Sequence, residues 1–253
     1  VGSEVCIRDR NTAVKVVFNN QERLENLAGR LAQQLEADSL SLLNTFRDSV
    51  FLETHGFTPK TALAMYLPNS YEVFWNTTPE KFRNRMLKEY KRFWNSQRLE
   101  QAERIGLTPE EVISLAAIVQ KETVQVEERT KIAGVYLNRL RKRMRLEADP
   151  TVIYALKEKH QNFDTIIRRV LRKDLKIKSP YNTYKNKGVP PGPITMPDIN
   201  AIDAVLQADS HKYLYFVANP KQPGYHTFAT TYIQHLRNSR AYHRWINSQK
   251  LYR

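Results

Sequence analysis

The sequence predicts an α+β fold in which a small strand-helix-helix unit precedes a larger mixed domain. Three observations predict it. The chain has 253 residues, enough for one large domain or for a large domain with a small one attached. Hydrophobic residues make up 41% and aromatics 10%, which sets the chain apart from disordered polymers that cannot bury a core. Apolar spacing switches between the helical and the strand period along most of the length.

Val14 to Phe18 (VKVVF) reads as a short strand. Gln21 to Glu36 follows as a helix, with Leu24, Leu27, Leu31 and Leu35 at helical spacing. A second helix opens at Asp38, an N-cap residue, and carries Leu40, Leu42, Leu43 and Phe46. Met65 to Trp75 is extended and aromatic, and Pro79 opens a long polar helix reaching Arg104. Thr108 and Glu111 form a Ser/Thr-x-x-Glu capping box around Pro109, so the start of the next helix is sharply marked. Further helices are expected at 126–143, 150–159, 164–172 and 198–208. Between Asp174 and Pro197 lies a loop with five prolines and two glycines, a length that in a compact domain usually serves function. Tyr213 to Ala218 and Tyr225 to Thr230 read as a hairpin, followed by a terminal helix to Gln249. There is no internal repeat and no low-complexity segment.

Forty Lys and Arg against 26 Asp and Glu give a formal net charge of +14, which suits a polyanionic partner: nucleic acid, anionic lipid or a carboxylate-bearing polymer. Cys6 is the single cysteine, which excludes an intramolecular disulfide and a cysteine-based zinc site. His211, His226, His235 and His243 have no tight i, i+4 spacing, so no metal is expected. The chain starts at Val1 and has no apolar run near the roughly 20 residues of a membrane span. An upstream segment carrying any signal or anchor is therefore expected.

On a helical wheel of Glu110 to Thr123, Val112, Leu115, Ala116, Ile118 and Val119 share one face, with Ser114 and Lys121 opposite. Glu122 falls on the shoulder of the apolar face and in the last turn. Partial desolvation and the negative end of the helix dipole both raise a carboxyl pKa there, as a general acid requires. A structural ion pair with a nearby Arg or Lys occupies such a position equally well, and the residues alone leave both readings open. Asp149, before Pro150, is an N-cap or a second carboxylate. Glu127 and Glu128 read as solvated partners of Lys131. The Tyr181-Asn182-Thr183-Tyr184 segment offers rings and amide groups suited to N-acetyl sugars, or else packs. Arg139, Arg141, Lys142, Arg143 and Arg145 either offset a helix dipole or meet carboxylates of a ligand.

Six blocks in order between residues 107 and 235 carry a resemblance. They are Ala117-Ile118-Val119-Gln120-Lys121-Glu122-Thr123; Val135-Tyr136-Leu137-Asn138-Arg139-Leu140; Met144 through Tyr154; Ser179-Pro180-Tyr181-Asn182-Thr183-Tyr184; Gly188-Val189-Pro190-Pro191-Gly192-Pro193-Ile194; and Tyr213 through Ala218 with His226-Thr227-Phe228. Together they resemble the endolytic murein transglycosylases of the MltG (YceG-like) family. The resemblance implies a division into a partial LysM-like unit at 1–56, a connecting segment with a long helix at 57–106, and a catalytic domain at 107–253. It implies Glu122 as catalytic acid/base, with Asn138, Arg139, Asp149, Thr151, Tyr181, Asn182, Thr183, Tyr184, Gly192 and His226 on the substrate side and no cofactor. Asn182 is expected against the sugar N-acetyl groups.

The implied substrate is the peptidoglycan glycan strand, the implied neighbours are cell-wall synthases, and the implied place is extracytoplasmic on a single-pass inner-membrane anchor. Two departures stand out. Gln120 replaces an acid of the family pattern, so that position cannot cycle a proton. Ala64 to Tyr71 has lost the acids and glycine of the corresponding family block. Two rival readings remain: a non-catalytic wall-binding or scaffold protein, and a basic nucleic-acid module suggested by Arg168 to Lys178, which lacks any recognition signature of that class.

Overall fold

The computed structural model describes residues 12–248. Cys6 and Gln249, on which two of the sequence readings bear, lie outside them. Strand β1 (Ala13–Phe18) is followed by helices α1 (Leu24–Ala32), α2 (Ser39–Phe46) and α3 (Ser49–Thr54). The chain then returns as strand β2 (Asn69–Phe74), which pairs antiparallel with β1 so that Val16 faces Tyr71. Alternation points Val16 and Phe18 inward, and the Phe18 and Tyr71 rings stack at 5.5 Å. Asp38 caps α2 by accepting from the backbone N–H of Leu40 and Ser41, and Asp48 caps α3 from Phe51.

The single helix expected from Pro79 to Arg104 is two, α4 (Pro79–Phe93) and α5 (Ser96–Ile105). Trp94 leaves helical geometry, and the Asn95 side chain accepts from the N–H of Arg98, so a new N-cap competes with continuation of the old helix. Helix α6 (Pro109–Glu122) has the expected capping box with both reciprocal bonds formed. A 3₁₀ turn (Val126–Glu128) leads into α7 (Arg129–Arg141), followed by α8 (Asp149–Lys159), α9 (Ile199–Leu206), the hairpin β3 (Tyr215–Ala218) with β4 (His226–Ala229), and α10 (Tyr232–Ser248).

The helix expected at 164–172 is absent; the stretch is irregular up to a 3₁₀ turn at Asp174–Lys176. Its β-branched run Ile166-Ile167 has no core to face, Ile166 being 80% exposed, and Asp174 accepts from the Leu171 N–H and closes a local turn instead.

One core runs without a gap from Val16 to Leu206, across residues 56 and 106 where divisions were expected. Helix α6 lies at its centre. Its residues Val112 to Val119 are all buried, including Ser114, which the wheel placed opposite the apolar face. Packing against α5, α7, α8 and α9 surrounds the helix, so one-sided amphipathicity is lost. The proline-rich loop is stitched to the start of the chain: Met196 donates its N–H to the Gln21 carbonyl, and Asn20 Nδ2 to that of Met196. No helix among the described residues is long and apolar enough to cross a membrane.

Candidate active site

The buried helix α6 carries Glu122 out of the core at its last residue, where the side chain is half-buried on the floor of a pocket of about 250 Å³. The pocket is lined by Glu122, Tyr136, Arg139, Leu146, Glu147, Asp149, Tyr184, Phe216 and His235. Helix α7 stands against α6 and aims the Tyr136 hydroxyl at Glu122, donating a hydrogen bond of 2.7 Å to Oε1. The Tyr136 ring is held edge-on by Phe216 of β3, at 5.9 Å.

The carboxyl of Glu122 is pushed up to about 7 from an ordinary value near 4.5. Burial is the main cause, because charge is poorly solvated there; the negative charge of Asp149 adds to it, while the Tyr136 bond and the Arg139 cation oppose it. The result is a carboxylic acid that keeps its proton near neutrality and can release it, the property that general acid/base chemistry needs.

The other two carboxylates of the pocket are engaged differently. Asp149 is not the N-cap of α8: the cap position is Ala148, and Asp149 accepts from the Tyr184 hydroxyl at 2.6 Å. Glu147 pairs with Arg139 at 3.3 Å. Arg139 is no solvated helix end. It is buried and donates from Nε to the Leu214 carbonyl and from Nη1 to the carbonyl of Leu146, so it fastens the hairpin and the 145–147 turn to α7.

Several expected site residues serve the scaffold. Asn182 is fully buried, donates from Nδ2 to the carbonyls of Leu175 and Ile177, and accepts from the N–H of Tyr184. It shapes the loop that presents Tyr184, and the expected placement against a sugar is corrected accordingly. The signal that misled was composition: an Asn between tyrosines looks ligand-facing, but it satisfies backbone groups that no helix or sheet satisfies. Thr183 accepts from the N–H of Ala148 and hydrogen-bonds the Thr151 hydroxyl at 2.9 Å, a buried pair that joins the loop to the start of α8. Tyr181 packs on Tyr154 at 4.6 Å and lines a separate hollow of about 500 Å³ on another side of α8. Gly192 is a packing glycine, as its backbone lies against the Lys60 carbonyl. Asn138 donates to the carbonyls of His211 and Tyr213.

His226 lies outside the pocket lining and takes part in a 2.7 Å hydrogen bond with Glu128. Glu128 is therefore buried against β4 and not a solvated partner of Lys131, and Glu127 accepts from the Tyr225 hydroxyl. Gln120 accepts from the N–H of Asp198 at the start of α9, a structural role open to an amide.

Asn182→Ala should lower stability by about 2 to 4 kcal/mol, because it orphans two buried carbonyls and one N–H. Thermal unfolding reads this as a Tm loss of roughly 5 to 10 °C. An unchanged Tm would mean that the amide is idle.

Sequence reasoning did not single out Tyr136, Glu147 or Phe216, and weighed His235 only as a metal ligand. Tyr136 and Phe216 sit within family-like blocks, but nothing local marks them as facing Glu122. Their approach depends on the packing of α7 and the hairpin.

The fold and the pocket define an α+β protein with one proton-holding carboxylic acid at the end of a buried helix, in a pocket walled by aromatic rings. The chain belongs to the YceG-like family, whose model matches residues 5–241. It is 41% identical over 138 residues to an endolytic murein transglycosylase of Bacillus subtilis, covering 54% of this chain and 35% of that protein. It is 38% identical over 114 residues to one of Streptococcus pneumoniae, covering 45% and 20%. The chain thus spans about a third or less of these curated relatives. In structure it resembles a yceG-like protein of Listeria monocytogenes, with a TM-score of 0.71 and 28% identity over 88% of this chain and 75% of that one.

Proposed function

We propose that this chain is the catalytic portion of an endolytic murein transglycosylase, with Glu122 acting alone as acid and base. The observation that supports this most is the state of Glu122, a carboxylic acid held at about 7 in a pocket whose other carboxylates are engaged by Tyr184 and Arg139. A hydrolase needs two carboxyl groups, one to protonate the leaving oxygen and one to act as nucleophile or activate water. A lytic transglycosylase needs one. Glu122 gives its proton to the oxygen joining N-acetylmuramic acid to N-acetylglucosamine, and the muramyl C1–O bond breaks. The resulting carboxylate then takes the proton of the muramyl C6 hydroxyl as O6 bonds to C1, which closes a 1,6-anhydro ring and restores the acid. No water is consumed.

Tyr136 orients the carboxyl through its hydrogen bond, and Asp149 keeps the proton on it by repulsion. Among the described residues, those up to 56 belong to a LysM-like unit, joined by 57–106 to the catalytic domain that begins at 107. This region sits outside the cytoplasm on a single-pass inner-membrane anchor, beside cell-wall synthases.

The test is the product. Purified protein on murein strands should yield fragments of several disaccharides whose new muramyl ends are about 18 mass units lighter than hydrolytic ends and resist borohydride. Muramitol ends appearing in step with cleavage would make water the nucleophile and Asp149 the first candidate for a second carboxylate.

A further inference from the structure

His235 is a titratable group in the pocket that the mechanism above leaves without a task. It comes from α10, which packs chiefly on the β3-β4 hairpin and buries no described residue fully. Its ring stacks on Tyr215 at 5.2 Å and 21°, and it forms part of the lining around Glu122. Nδ1 is buried and makes no hydrogen bond, and Nε2 has no partner among the described residues. A buried polar atom without a partner costs stability, so a native structure that keeps one calls for an explanation.

The surroundings set the charge of the ring. Burial, with the Arg139 cation next, holds the imidazole below its ordinary range, so it is neutral near pH 7; Glu147 opposes the shift weakly. The neighbouring titratable rings are Tyr215 of β3 and Tyr232 of α10 itself, while His226 of β4 is turned to Glu128. A neutral imidazole carries one N–H and one lone pair, so its ring edge can donate to or accept from a ligand. Nε2 is not among the buried unpartnered atoms.

We propose that His235 is a substrate-binding residue whose imidazole hydrogen-bonds a hydroxyl or acetamido group of the sugar seated above Glu122. The proposal rests on the glycan-cleaving reading of the same pocket. It gives α10 a function, since the helix then carries one wall of the sugar site and not merely the end of the chain.

The experiment compares variants of the whole chain on sized murein strands. His235→Phe keeps a flat ring on Tyr215 but removes both ring nitrogens; it should raise KM about tenfold with kcat within about twofold and Tm unchanged. His235→Gln keeps a donor and should stay within about threefold of the parent in KM. In His235→Ala, added imidazole should restore KM, which keeps the question answerable even if the Phe variant folds poorly. Strand binding by Glu122→Gln protein, which does not cleave, should weaken by the same factor when His235→Phe is added. An unchanged KM in His235→Phe, or a Gln variant as weak as the Phe variant, overturns the proposal. Turnover by Glu122→Gln alone would instead overturn the acid assignment, and the KM comparison would still judge His235.

Discussion

Glu122→Gln should abolish cleavage of glycan strands, by ~1000-fold or more, because an amide can neither give the acidic proton nor take it back. The protein should fold at least as well as the parent. The folded state holds Glu122 at about 7 and the unfolded state near 4.5, so between those values the unfolded chain releases a proton that the folded one retains. Stability associated with this group is intact below about 4.5 and lost as pH rises through about 7. The Gln variant removes that loss. Its Tm should exceed the parent's at pH 8 and match it at pH 4. In the parent, cleavage should decline as pH rises through about 7, when the acid form disappears. A well-folded Gln variant with near-normal turnover would end the assignment.

The largest structural effect is expected at Gly192. A Cβ there would lie 2.0 Å from the Lys60 carbonyl oxygen and 2.7 Å from its carbon, which are backbone atoms with no rotamer to yield. Lys60 leads into a 3₁₀ turn, Ala62–Met65, whose four residues are all buried. Gly192→Ala must therefore push the proline-rich loop away from the core, at a cost of about 3 kcal/mol or more. Gly188 gives the control. Its φ of +85° strains any L side chain, yet nothing lies within 4 Å, so Gly188→Ala should cost only about 1 to 2 kcal/mol. Denaturant unfolding of the two variants side by side checks the order. A Gly192→Ala protein as stable as Gly188→Ala would show that the loop yields freely.

What the sequence made legible was local. The capping box at Thr108 and Glu111, the cap at Asp38, the helix start at Pro79 and the hairpin all follow from interactions within a few residues, and they appear in place. Glu122 was legible because its desolvation and its place in the last turn both follow from helix geometry. The misses share a different cause. The break at Trp94-Asn95 depends on a side-chain cap that competes with the helix, and the absent helix at 164–172 depends on there being no core for it to cover. Asn182, Thr183 and Thr151 were placed on the substrate side by the resemblance, although their partners are buried backbone and hydroxyl groups of other segments of the chain. Which polar group meets a ligand and which meets the chain is decided by tertiary packing.

The pocket around Glu122 draws its lining from positions as far apart as 122 and 235, with α7, the 146–149 turn, the loop at Tyr184, the hairpin and α10 each supplying a piece. The raised pKa is thus a property of the finished assembly and not of the helix that bears the residue. Before the last pieces dock, Glu122 is an ordinary solvated glutamate, ionised at neutral pH and with no proton to give. Whatever bond Glu122 serves, its acid form is in this way absent while the chain is being made, and the final docking step is also the step that arms it.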